Sequence, residues 1–304
     1  MRVAVWGAGA IGTAAAYRLT ISPHVSEVHW INRSHDKIRY RVIDMQHGLA
    51  FAPSCHLVKG YPQKRARRAL AQVDLVVLTL GASVPSGEGR AAVWAKNRAC
   101  FDEAVIPMLH GFGGVVLVVT NPVDLMALHV HRAAVIDAQR CLGLGTVVET
   151  ARLRASLAKH VSPIRPAREM FAYAIGTHDA NVVAVTAGAA GLGIHDHPAE
   201  IVEIARSETV NGAARVKQDD RSTLHPVVEG IAAVVDAIAA DREAVLTVST
   251  FDANEELFYS LPCTLGRQGL VHRHEAFIGA KAEDLERGLA ELRAQLNEGQ
   301  GASR

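Results

Sequence analysis

The sequence predicts an α/β fold in two parts: a parallel sheet wound with helices, then an α+β half. Three observations predict it. Short apolar runs rich in Val, Leu and Ile alternate with helical stretches over residues 1–143. A glycine-rich turn joins the first run to the first helix. Beyond residue 143 the pattern changes to long helices and a cluster of closely spaced strands. Alternation of the first kind argues for βαβ units and a sheet buried on both faces.

Taken in order, Val3–Trp6 reads as the first strand and the Ala-rich Ala10–Leu19 as the first helix. Glu27–Asn32 is the second strand. Ser34–Gly48 reads as a helix with Ser34 at its N-cap and Gly48 at its C-terminal end. Asp74–Leu80 and Gly114–Thr120 are further strands, and Gly87–His110 is a loop passing into a long helix. In the second half Val147–His160, Ala199–Lys217 and His225–Ala240 are helical, the last started near Pro226. Ala244–Phe251, Glu256–Pro262 and Leu265–Val271 read as an antiparallel meander with Gly-rich turns. Lys281–Leu296 is an amphipathic helix, with Leu285, Leu289, Leu292 and Leu296 at helical spacing. Gly299–Arg304 reads as a frayed tail. The boundary near residue 143 separates a domain of residues 1–143 from one of residues 144–304.

Composition excludes several classes of function. The 304 residues carry 32 Lys+Arg against 31 Asp+Glu, a net charge of +1, which argues against an electrostatic nucleic-acid binder. A chain 49% hydrophobic and 21% charged is not mainly disordered. It has no 18-residue uncharged apolar run, so no membrane span is expected. The opening MRVAVWGAGAIG lacks an A-x-A-like cleavage site and reads as a strand, not a signal peptide. Cys55, Cys100, Cys141 and Cys263 form no C-x-x-C pair. Free, mostly buried thiols in a reducing cytoplasm are expected, with no metal site.

The turn Gly7-Ala8-Gly9-Ala10-Ile11-Gly12 follows a strand and opens a helix. In a dinucleotide-binding (Rossmann) turn the first glycine permits the tight bend. The second lets the backbone approach a pyrophosphate, and the third allows close helix–sheet packing. The helix N-terminus attracts the anion. The bland alternative is a merely tight βα turn. The second strand of such a unit ordinarily ends in an acid that holds the ribose 2′-OH of NAD. Here Asn32-Arg33-Ser34-His35 stands there. Loss of the carboxylate removes repulsion against a 2′-phosphate, and Arg33 and Ser34 can bond it. The reading therefore favours NADP, with NAD as the alternative if Asn32 bonds the 2′-OH and Arg33 is a solvated charge.

In its motifs the chain resembles the lactate/malate dehydrogenase family of 2-hydroxyacid dehydrogenases, from about Met1 to Leu296. The motifs are GAGAIG (7–12), DMQHG (44–48), DLVVLTLGA (74–82), GEGR (87–90), TNPVD (120–124), GLGTVVETAR (143–152), IGTH (175–178) and AVLTVS (244–249). The resemblance implies a Rossmann domain followed by an α+β catalytic domain, with the active site between them. It implies hydride transfer between a nicotinamide and a 2-oxo or 2-hydroxy acid, in a homodimer or homotetramer. His178 matches the catalytic proton donor and acceptor. Glu149 stands where the family has an Asp that orients that histidine, one methylene longer. Arg152 matches the clamp on the substrate carboxylate, and at i+3 from Glu149 it shares a helix face. Arg90, after a segment that reads as a lid (Ser86-Gly87-Glu88-Gly89), matches the group that polarises the carbonyl. Asn121 matches a residue that bonds substrate oxygen beside the cofactor, with Gly81 also on the cofactor side. Thr223 matches a substrate-pocket threonine loosely.

Three departures qualify the match. Val84 stands at or near the lid position where malate enzymes carry Arg and lactate enzymes usually Gln. A closed site would leave a second substrate carboxylate unpaired there, at a cost of several kcal/mol by order of magnitude. A small or apolar side chain on the 2-oxo acid is expected. His178-Asp179-Ala180 replaces His-Gly-Asp, and Ser83 replaces a basic or polar residue often beside the cofactor phosphates. The alternatives are a malate dehydrogenase, or an inert NADP-binding sensor, which would need no proton donor.

Overall fold

The computed structural model describes residues 1–34, 36–82, 89–160, 166–178, 181–185, 199–217, 223–275 and 282–301. The expectations for Val84, Ser83, His35, Ser86-Gly87-Glu88 and Asp179-Ala180 fall outside these residues. The first half runs β1 (Arg2–Trp6), α1 (Ala10–Thr20), β2 (Glu27–Asn32), α2 (Asp36–Gly48), β3 (Leu57–Pro62), α3 (Ala66–Leu70) and β4 (Leu75–Leu78). It continues with α4 (Arg90–Ala104), α5 (Ile106–Leu109), β5 (Val115–Val118), α6 (Val123–Ala133) and β6 (Cys141–Gly143). The second half holds α7 (Val147–His160), β7 (Tyr173–Ile175), β8 (Val183–Val185), α8 (Ala199–Lys217) and α9 (His225–Ala240). It closes with β9 (Ala244–Leu246), β10 (Ser249–Asp252), β11 (Leu257–Ser260), β12 (Cys263–Gly266), β13 (Gly269–Arg273) and α10 (Ala282–Gly301).

The main sheet has the order β11-β10-β6-β5-β4-β1-β2-β3. Its parallel part, 3-2-1-4-5-6, is the doubly wound arrangement, whose strand order reverses between β1 and β4. Ligands bind such sheets outside the carboxyl ends of the strands at that reversal. Consecutive residues of β1, β4 and β5 are buried, Val3, Val5, Leu75, Val77 and Leu117 fully, so both faces of the sheet are covered. That is why these strands read as unbroken apolar runs. Among the described residues no helix is long and apolar enough to cross a membrane. Cys55, Cys141 and Cys263 are buried and free, and Cys100 is half-buried and free.

Several expectations are corrected. The expected meander is not one sheet. β10 and β11 leave it to extend the main sheet, β10 antiparallel to β6 and β11 antiparallel to β10, whereas β9, β12 and β13 form a separate three-stranded sheet. Pro262, which lacks an N–H to donate, separates β11 from β12 and lets the chain change sheets. The helix expected from Ser34 begins at Asp36, and the Ser34 carbonyl instead accepts from the Asn32 side-chain amide at 2.8 Å. The long helix expected up to His110 breaks at Val105, where Pro107 enters at the start of α5. The last helix persists to Gly301, past the start of the expected tail. Strands β3, β6, β7 and β8 and helices α3 and α6 are additional to the sequence reading.

Candidate active site

The glycine turn sits at the carboxyl end of β1. Gly7 has φ +126°, a conformation that L side chains rarely adopt, and a Cβ there would lie 2.8 Å from the Leu80 nitrogen. A Cβ at Gly12 would lie 2.4 Å from the Gly7 carbonyl oxygen and 2.6 Å from Thr79 Oγ1. At Gly9 a Cβ would meet nothing within 4 Å. Two glycines are therefore demanded by the protein's own packing, and the middle one faces open space at the N-terminus of α1, where Ala10 and Ile11 begin the helix. This cradle fits a dinucleotide pyrophosphate. Buried Trp30, on β2, donates its indole N–H to the Gly7 carbonyl at 2.7 Å and fixes the turn from the neighbouring strand. Arg41, on α2, reaches Thr13 Oγ1 at 2.9 Å, beside the first turn of α1. At the end of β2, Asn32 is half-buried with its amide donated to Ser34, and Arg33 is exposed.

At the next strand end, Gly81 packs close to Asn97, whose Oδ1 would lie 3.2 Å from a Cβ there. Asn97, on α4 and only 4% exposed, accepts from the Ala82 N–H at 2.7 Å and donates to the Asn121 carbonyl at 2.6 Å. One amide thus ties the ends of β4 and β5 together. Asn121 itself is exposed and precedes Pro122 through a cis peptide bond.

His178 follows β7 through Gly176, which has φ +95° and pairs both backbone groups with Ser260 at 2.8 Å. Its Nδ1 lies 2.9 Å from Glu149 Oε2. The other Glu149 oxygen accepts from Arg152 Nη1 at 3.0 Å, so the carboxylate bridges imidazole and guanidinium. The longer Glu reaches the ring, as its position on the first turn of α7 allows. The sequence reading aims Glu149 and Arg152 together into one cleft; the structure also pairs them with each other. The Arg152 stem runs against α8, where a Cβ at Gly212 would lie 3.4 Å from its Cδ. Burial alone would lower the His178 pKa. The Glu149 charge and hydrogen bond override it and raise the pKa above the ordinary imidazole value, with Asp124 adding to this and Arg152 opposing it. Burial pushes Glu149 up, but His178 and then Arg152 hold its carboxyl below its ordinary range. Both shifts favour the imidazolium–carboxylate form of the pair, with His178 Nε2 left as the nitrogen for exchange with a ligand. A protonated donor beside a guanidinium suits transfer to an anionic carbonyl compound.

Among the other expected residues, Arg90 is the first residue of α4. Thr223 lies half-buried two residues before α9, and no hydrogen bond among the described residues ties it to the His178 group. Sequence reasoning gave no role to Trp30, Thr79, Asn97 or Asp124. Two of them lie within quoted motifs, Thr79 in DLVVLTLGA and Asp124 in TNPVD, which was the available signal.

Residues 1–143 match the lactate/malate dehydrogenase, NAD binding domain family. The chain is 32% identical to an L-lactate dehydrogenase of Deinococcus radiodurans, over 96% of this chain and 97% of that protein. It is 33% identical to an L-lactate dehydrogenase of a Synechococcus species, over 89% and 90%. Two crystal structures share the fold. A lactate dehydrogenase from a Medee basin deep-sea metagenome library has a TM-score of 0.84 at 23% identity over 98% of both chains. A minor L-lactate dehydrogenase of Enterococcus mundtii has 0.85 at 21% over 97% of both. The match to an NAD binding domain supports the dinucleotide reading and lends nothing to the preference for NADP. The chain belongs to the lactate/malate dehydrogenase family.

Proposed function

We propose that the protein is an NAD(H)-dependent L-2-hydroxyacid dehydrogenase of the lactate type, acting on a 2-oxo acid with a small or apolar side chain. In this reading residues 1–143 hold the dinucleotide and residues 144–304 bring the catalytic groups. The observation that carries it is the His178–Glu149–Arg152 chain, at 2.9 and 3.0 Å. Gly7, Gly9 and Gly12, with Ala10 and Ile11, would hold the pyrophosphate, and Gly81 and Asn121 would line the nicotinamide side. Asn32, whose amide is committed to Ser34, keeps Oδ1 to accept from a ribose hydroxyl. That favours the unphosphorylated cofactor, against the preference drawn from Arg33 and Ser34. When bound, the nicotinamide donates or accepts the hydride.

The chain's own residues do the rest. Arg152 binds the substrate carboxylate with the N–H groups that Glu149 leaves free. Arg90 and Asn121 orient and polarise the carbonyl. His178, charged through Glu149, donates a proton from Nε2 to the carbonyl oxygen and recovers it in oxidation. Val84, and more loosely Thr223, would line the side-chain pocket. A cytoplasmic homodimer or homotetramer completes the proposal, the assembly being open to sedimentation analysis. The decisive experiment follows NADH and NADPH oxidation with a panel of 2-oxo acids. Turnover with NADH and pyruvate-like acids, abolished in His178→Ala with NADH binding intact, is expected. No turnover with either cofactor would overturn the enzyme in favour of an inert dinucleotide sensor. Preference for oxaloacetate would favour a malate enzyme.

A further inference from the structure

We infer that Asp124 is a positioning residue: its carboxylate locks the His178 turn onto α6 and sets a second buried negative charge beside an imidazole already held by Glu149. This rests on the proposed role of His178 as proton donor. Asp124 is 4% exposed, in the first turn of α6. Its Oδ2 accepts from the His178 backbone N–H at 3.0 Å, and its Oδ1 accepts from Ser249 Oγ at 2.6 Å. Three segments distant in sequence meet on one carboxylate: α6, the turn after β7, and β10.

Each partner is itself held. Ser249 pairs with Gly143 across β6 and β10, so closely that a Cβ at Gly143 would lie 2.9 Å from the Ser249 Cβ. The His178 turn is held by Gly176 against Ser260. Asp124 ties these two fixed points to the helix that starts beside Asn121. A buried carboxylate is costly unless fully hydrogen-bonded. Among the described residues, the ionisable groups acting on the imidazole are Glu149 and Arg152 from α7 and Asp124 from α6. From β11 the turn meets the neutral Ser260, and Ser249 on β10 bonds Asp124 instead. With Arg152 opposing, Asp124 reinforces Glu149 in favouring the imidazolium.

Asp124→Asn separates charge from anchoring. Its Oδ1 can accept from the His178 N–H while its amide donates to Ser249 Oγ, which keeps the geometry and removes the charge. Asp124→Ala removes both, and Ser249→Ala removes one anchor and keeps the charge. The primary readout is the NMR titration of the His178 ring in the protein without substrate, its resonance identified by its loss in His178→Gln. Asp124→Asn is expected to lower the titration midpoint by about one pH unit with melting temperature preserved. Ser249→Ala is expected to leave the midpoint in place. Asp124→Ala is expected to lower kcat at least about tenfold with the Kd for NADH unchanged. An unmoved midpoint in Asp124→Asn overturns the inference. So does a kcat per folded molecule that survives Asp124→Ala. The titration needs no turnover, so it stands apart from failure of the dehydrogenase reading itself.

Discussion

Gly9→Ala and Gly12→Ala together test the reading of the glycine turn, because the two methyl groups enter different surroundings. At Gly12 the new Cβ would lie 2.4 Å from one backbone oxygen and 2.9 Å from the carbonyl carbon of the same residue. Backbone cannot rotate aside as a side chain can. Overpacking of this kind costs about 1–3 kcal/mol. For a chain of this size that is a fall in Tm of roughly 2–6 °C. At Gly9 the Cβ meets nothing within 4 Å, and the residue has φ −72° and ψ −173°, which alanine adopts readily. Loss of a good N-cap residue and the stiffer unfolded chain nearly offset each other, within roughly 0.5 kcal/mol. The same methyl stands where the backbone approaches the pyrophosphate, so NADH should bind at least about tenfold more weakly, or about 1.4 kcal/mol. Differential scanning calorimetry without ligand and fluorescence titration with NADH measure the two effects separately. Equal destabilisation by both substitutions, or unchanged NADH affinity in Gly9→Ala, would refute the reasoning.

Further outcomes are expected. Reduction needs His178 protonated, so its kcat/KM should hold below the raised His178 pKa and fall as pH rises through it, with the opposite trend for oxidation. Glu149→Gln removes the charge and leaves the burial, which should move that alkaline limb down by about 1–3 pH units in a pH–rate profile. The same pair stabilises the fold between the ordinary carboxylate and imidazole pKa values. That contribution is lost as pH falls through the depressed Glu149 pKa or rises through the raised His178 pKa, and a pH series of thermal melts should show both edges. Asn97→Ala strips partners from the Ala82 N–H and the Asn121 carbonyl, and denaturant unfolding should register a loss of about 1–2 kcal/mol. Val84→Arg should raise kcat/KM for oxaloacetate relative to pyruvate, and an unchanged ratio would place the specificity position elsewhere.

The elements legible in the sequence are those whose burial is symmetrical or strongly periodic. β1, β2, β4 and β5 were readable because both of their faces are covered. β3 was not, since Leu57-Val-Lys-Gly-Tyr-Pro is an edge strand broken by Lys59, Gly60 and Pro62. β7 and β8 have three residues each, too few for any period to show. Helix α6 begins directly behind Asn121-Pro122, a pair that reads as a turn. In the site, Glu149 and Arg152 could be placed together by helical spacing alone. Bringing His178 to them needed the family resemblance, because 29 residues separate it from Glu149. The indole of Trp30 on Gly7 and the carboxylate of Asp124 on His178 are contacts between distant segments of chain, which no local pattern encodes.

Because β10 lies against β6, the nucleotide-binding half cannot close its own sheet. During synthesis it emerges with the β6 side bare, a template for a neighbouring nascent chain. Cover arrives only with residues 249–260, roughly 6–25 s later at ordinary translation rates. A chaperone that shields this margin would raise the yield of folded protein, and residues 1–143 expressed alone would aggregate through it.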